Sequence, residues 1–162
     1  MRDILVMSIV LTAALVALRR PWIGVLLWTW ISLMSPHRFT YGFAFDAPVA
    51  AIAAGSTLLG LVLTKDRYSP FRASPAVWLL LLSIWITLSW ALGVDPSGDR
   101  WMWDKVMKIN IMVLVSLALL HTRQQIMAFA WVVAGSLAVL GVKGGLLTIV
   151  AGGNYRVYGP PG

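Results

Sequence analysis

QQIMAFAWVVAGSLAVLGVKGGLLTIV, residues 124–150, is the stretch whose reading decides the fold. After its two glutamines it is apolar apart from Ser136 and Thr148, and its one charged residue is Lys143, set between Val142 and Gly144. A bilayer interior offers backbone amides no partners, so an apolar segment of this length must be a helix. A crossing takes roughly 20 apolar residues. This run is longer, so the helix is expected to tilt or to break at Gly144-Gly145. Residues 151–162 then leave the apolar pattern through Gly152-Gly153 and end in Asn154-Tyr155-Arg156-Val157-Tyr158-Gly159-Pro160-Pro161-Gly162, the start of a cationic surface loop.

Five more apolar runs precede it. Helices are expected at 4–18, 22–34, 47–64, 77–92 and 104–120, with the sixth at 124–150. The first two are short for full crossings and form a tight hairpin about Arg19-Arg20-Pro21. A cleavable signal peptide does not fit the first run: no small-x-small site precedes Arg19, and a second apolar run follows at once. Asp46 is placed to cap the third helix, with Pro48 in its first turn. Ser74-Pro75 starts the fourth, and an acidic loop from Gly93 to Trp103 follows it. The fold expected is an all-α, polytopic transmembrane bundle of about six helices over 1–150, with 151–162 beginning a periplasmic loop.

The composition agrees. The 162 residues are 59% hydrophobic and 12% charged, with a mean hydropathy of +0.81. Soluble chains carry roughly 25% charged residues. The absence of cysteine excludes disulfides and thiolate metal sites. Nine tryptophans and a net charge of +7 suit membrane interfaces. The cations are scattered among turns and form no basic stripe, which argues against nucleic acid.

Six crossings place both termini on one side. With that side outside, Arg19, Arg20, Lys65, Arg67, Arg72 and Arg123 fall inside, and Arg2, Arg38, Arg100, Lys105, Lys108 and Arg156 outside. With the basic residues divided equally, the positive-inside rule does not choose between the two orientations. The tight Arg19-Arg20 and Lys65-Asp66-Arg67 stops favour a periplasmic N-terminus and tail. Asp3, Asp46, Asp95, Asp99 and Asp104 fall on that same outer side.

Soluble-enzyme constellations are missing: there is no glutamate, no carboxylate pair on a helix face, no phosphate loop and no metal spacing. No cofactor is implied. His37 and His121 stand at helix ends and read as interfacial. Trp28 and Trp30, two apart, point to different sides of their helix and form no cofactor box.

The candidates are cations. An ionisable residue within a span is a functional candidate, and Lys143 has two readings: a lysine snorkelling past Val150 to the interface, or one packed beneath Gly141 and Gly145 where another helix comes close. Arg156, between Tyr155 and Tyr158, is either an interfacial anchor or a phosphate clamp stiffened by Pro160-Pro161. Lys105 and Lys108 share a helix face, and Asp104 is placed to neutralise the latter at spacing four. Together Lys105, Lys108, Lys143, Tyr155 and Arg156 outline a site for a phosphate-sized anion.

Several blocks carry a resemblance: Met1-Arg2-Asp3-Ile4-Leu5, the run from Leu18 to Trp30, Ser35-Pro36-His37-Arg38, Trp103-Asp104-Lys105-Val106-Met107-Lys108-Ile109, Gly141-Val142-Lys143-Gly144-Gly145, and Gly153 to Gly162. In these the chain resembles the O-glycosylation ligases associated with exosortase A, within the O-antigen ligase and polymerase superfamily. The resemblance implies a multi-pass protein of the bacterial inner membrane that transfers a glycan from a polyprenyl diphosphate carrier to an acceptor at the periplasmic face. It implies that Arg156, beginning a motif just outside the membrane, handles the diphosphate. Family members continue through further helices and a large outer loop with a catalytic histidine. A chain ending at Gly162 therefore resembles their N-terminal region, inactive without other helices of the full-length protein.

Two other classes compete. One is a non-enzymatic scaffold docking a partner through the Ala51/Gly55 and Gly141/Gly145 faces. The other is half of a transporter with Lys143 on its path, although 1–80 and 81–162 show no internal repeat.

Overall fold

The computed structural model describes residues 2–35, 48–64, 74–93, 95–150 and 152, and the side chains among them except those of residues 2, 3 and 74. Among the described residues the chain is all-α, with no strand. Its six helices are α1 (Arg2–Arg19), α2 (Pro21–Met34), α3 (Val49–Leu63), α4 (Ser74–Ala91), α5 (Arg100–Leu119) and α6 (Arg123–Val150). Of these, α6 is long and apolar enough to cross a membrane, whereas α2, at 14 residues, is about 21 Å long.

The expected boundaries shift for local reasons. α5 begins at Arg100 and not Asp104, because the Asp99 carbonyl accepts the Met102 and Trp103 amides, each at 3.1 Å. The acidic loop is correspondingly shorter, and Trp101 and Trp103 are helical. α4 begins at Ser74 and not Val77, since proline suits a first turn. Pro48 is the residue before α3 and not inside it; Asp46, expected to cap that helix, lies outside the described residues. α6 runs unbroken through Gly144-Gly145. A helical glycine costs about 1 kcal/mol but removes no backbone hydrogen bond.

The chain divides into two units, Met1–Lys65 with Thr122–Gly162, and Asp66–His121. In the first, α1, α2 and α3 pack around Val10, Ala14, Leu27, Ile31, Val49 and Ala53. Trp28 and Trp30 both lean on this cluster from α2, which is sandwiched between its neighbours and α6. The small-residue face that α3 uses is Ala53, Thr57 and Gly60, all buried. The Ala51/Gly55 face is left open: Ala51 is exposed, and a side-chain carbon added at Gly55 would meet nothing within 4 Å.

Near the α1–α2 turn the three helices approach closely through small residues: Ala17, Gly24, Thr57 and Gly60. A Cβ at Gly24 would strike the Thr57 hydroxyl and reach Ala17 Cβ at 3.0 Å. A Cβ at Gly60 would strike the Ala17 carbonyl oxygen. That carbonyl lacks its usual helical donor, because Pro21, four residues on, has no N–H. Gly60 comes so close to it that a side-chain carbon there would have no room. Thr57, 0% exposed, donates its hydroxyl to the Ala53 carbonyl at 2.6 Å, so its burial leaves no stranded donor.

The second unit contains the α4–α5 hairpin, fastened by a polar seam. Ser83, Thr87 and Trp90 on α4 face Asn110, Met107 and Trp103 on α5, each set at 4-3 spacing. Each hydroxyl donates to its own helix and accepts from the other. Ser83 Oγ donates to the Leu79 carbonyl (2.8 Å) and accepts from Asn110 Nδ2 (3.1 Å). Thr87 Oγ1 donates to the Ser83 carbonyl (2.8 Å) and accepts from Trp103 Nε1 (3.3 Å). The Trp90 and Trp103 rings stack at 4.8 Å, and Trp90 Nε1 donates to the Pro96 carbonyl at 2.9 Å, closing the loop above.

The start of α6 is fixed by a capping box. The Thr122 amide donates to Gln125 Oε1 at 3.0 Å, and the Gln125 amide to Thr122 Oγ1 at 3.4 Å. Thr122→Ala is expected to cost about 1 kcal/mol and to speed amide exchange at residues 123–126; unchanged exchange there would refute this.

Candidate functional site on helix α6

Lys143 lies on the exposed side of α6, seven residues before Val150 and hence about 10 Å from the helix end. It borders a shallow, open trough of about 440 Å³ lined by Ala138, Val139, Val142, Lys143 and Leu146. The trough is therefore an apolar strip carrying one cation. Its chemistry suits an amphiphile with a hydrocarbon tail and an anionic head.

Of the two readings of Lys143, packing against another helix at Gly141 and Gly145 is not met among the described residues. A Cβ on either glycine would meet nothing within 4 Å, so no described helix of this chain approaches there. The helix ends just beyond, where Gly152 adopts φ +60° and donates its amide to the Ile149 carbonyl at 3.3 Å. Positive φ is open to glycine at no steric cost, which makes it a natural terminator. Tyr155 and Arg156 follow within ten residues of the helix but lie outside the described residues, as does His37.

Lys105 and Lys108 belong to the other unit. Lys108 pairs with Asp104 one turn earlier; the side chains are 71% and 51% exposed, and such pairs contribute about 0.3–0.5 kcal/mol in water. Lys105 is exposed and has no ion pair among the described residues. At the tip of this hairpin the Asp95 carboxyl sits below its ordinary range, held ionised first by the Ser97 hydroxyl (2.7 Å) and then by the Gly98 amide (3.0 Å).

Two features escaped the reading of the sequence, and both had a signal there. The hairpin seam is written as Ser83/Thr87/Trp90 and Trp103/Met107/Asn110, the i, i+4, i+7 positions of two apolar helices. The capping box is written as Thr122-x-x-Gln125.

Comparison with known proteins yields one match: the model of a family of unknown function (DUF5935) covers residues 1–159. No curated protein and no solved structure matches the chain.

Proposed function

The chain belongs to the family of unknown function DUF5935, and from that premise we propose that it is the N-terminal membrane part of an O-antigen ligase-like protein of the bacterial inner membrane. The whole protein would transfer a glycan from a polyprenyl diphosphate carrier to an acceptor at the periplasmic face. The observation that carries this reading is the α6 trough, with Lys143 set in an apolar strip close to the helix end that leads to Arg156.

The chemistry is displacement at the anomeric carbon. An acceptor hydroxyl oxygen forms the new glycosidic bond and gives up its proton to solvent, the bond from carbon to the diphosphate oxygen breaks, and the lipid diphosphate departs with the bonding electrons. Negative charge grows on that leaving group, and fixed cations aimed at it lower the barrier. Arg156 and Lys143 supply that charge in this reading, and Tyr155 borders the head. The resemblance to the ligase family supports the assignment of Arg156.

The exposed apolar surface supports a multi-pass reading. α4 presents Val77, Trp78, Leu81, Leu82, Trp85 and Leu88 to its surroundings, with both tryptophans 70% exposed. Water tolerates contiguous apolar patches of only a few hundred Å², whereas hydrocarbon tolerates all of it. The shorter helices would be accommodated by local thinning of the bilayer.

The test is glycan transfer in cells by the full-length protein. Arg156→Ala and Lys143→Ala are expected to lower it at least tenfold, on the scale of losing one preorganised charge-stabilising group. Undiminished transfer in both variants rules the reading out, as does labelling of a cysteine at Asn154 from the cytoplasmic side only. The open faces of Gly141 and Gly145 favour a second reading, a scaffold that receives a partner helix. A scaffold would keep its function in both cation variants.

A further inference from the structure

Away from α6, the turn between α1 and α2 combines two features that no helix-packing role uses. Arg19 closes α1 and Arg20 precedes α2; both are exposed, and neither guanidinium bonds a described residue. The turn that carries them is fixed. The Arg20 amide donates to the Val16 carbonyl at 2.9 Å, the Ile23 amide to the Arg20 carbonyl at 3.0 Å, and buried Pro21 locks the entry to α2. Gly60 packs against Ala17 and Pro21 from α3.

Beside this rigid basic turn the last turns of α1 and α3 expose Leu15, Leu59, Val62 and Leu63. The contact of Gly60 with Ala17 and Pro21 thus brings two guanidiniums and these exposed apolar side chains to the same end of the unit. Arg19 is favourable at the C-terminal end of α1, but Arg20 stands at the positive end of α2, where a cation opposes the helix dipole. A bound anion reverses that sign.

We propose that the α1–α2 turn binds an anionic phospholipid, with Arg19 and Arg20 on its phosphate and the acyl chains along Leu15, Leu59, Val62 and Leu63. Arginine suits the role because its planar fork grips phosphate oxygens in pairs and stays charged at any physiological pH. Each basic residue near an anionic surface contributes about 1 kcal/mol, so two arginines favour anionic over zwitterionic lipid by roughly thirtyfold. The site does not depend on glycan transfer.

Native mass spectrometry of the full-length protein, extracted from vesicles of equal phosphatidylglycerol and phosphatidylcholine, tests this. Arg19→Gln/Arg20→Gln is expected to lower phosphatidylglycerol retention by roughly tenfold or more and to leave phosphatidylcholine unchanged. Arg19→Lys/Arg20→Lys keeps the charge and is expected to fall between the wild type and the glutamine variant. Arg100→Gln/Arg123→Gln removes the same charge elsewhere and should retain the lipid. Equal loss in both glutamine variants, no loss in Arg19→Gln/Arg20→Gln, or displacement of the lipid by millimolar inorganic phosphate would each overturn the proposal. A lysine variant that behaves as the glutamine variant does would overturn the charge argument as well.

Discussion

Gly60→Leu is expected to destabilise the first unit by about 3 kcal/mol or more. The obstacle is backbone and not a movable side chain: the added Cβ meets the Ala17 carbonyl, and Pro21 Cβ stands 3.1 Å away. Relief would require α3 to withdraw from the α1–α2 turn, which also opens the Gly24–Thr57 contact beside it. Gly60→Ala, with the same first carbon, is expected to cost about 1–3 kcal/mol. Gly55→Ala is the contrast, since nothing lies within 4 Å of its added carbon and alanine favours a helix over glycine by up to about 1 kcal/mol. Thermal unfolding in detergent should therefore move down for Gly60 and hold or rise for Gly55. If the two alanine variants melt together, the close approach of α3 to Ala17 is wrong.

Trp103→Ala is expected to have the largest effect in the hairpin, about 2–4 kcal/mol. Truncating a fully buried tryptophan costs roughly 3–5 kcal/mol, and Trp103 is half-buried. To the burial loss are added the stack on Trp90, worth about 0.5–1.5 kcal/mol, and the bond to Thr87, worth about 0.6 kcal/mol if such bonds behave as they do in membrane helices. Trp103→Phe keeps a ring on Trp90 and loses the N–H, so it should cost about 1 kcal/mol. A cycle with Trp90→Ala separates the stack from the rest: the double variant should lose less than the sum. Additive losses would mean that the rings do not stack in the folded protein.

How much of this was legible beforehand depended on which interaction decides each feature. The helices were readable because long apolar runs bounded by Arg19-Arg20-Pro21 or Ser74-Pro75 have one economical backbone conformation. Their exact starts were less so: α5 begins four residues early because Asp99 offers a backbone carbonyl, which side-chain patterning does not reveal. That α3 packs through Ala53, Thr57 and Gly60 and leaves Ala51 and Gly55 open was not legible, because small residues at spacing four occur on more than one face of an Ala- and Gly-rich helix. Which face is used depends on Ala17 and Pro21, more than thirty residues away in sequence. Lys143 could be found from the sequence because a lone charge in an apolar run stands out. Its surroundings could not, since the trough depends on which neighbours α6 leaves uncovered.

The first unit is interrupted in sequence. α1, α2 and α3 are made first, the whole α4–α5 hairpin emerges next, and only then does α6 arrive to lie against α2. At ribosomal rates of roughly 5–20 residues per second, the bare flank of α2 waits several seconds for its cover. During that interval it is a place where an insertase or chaperone could hold the nascent chain, and the arrival of α6 would be the event that releases it.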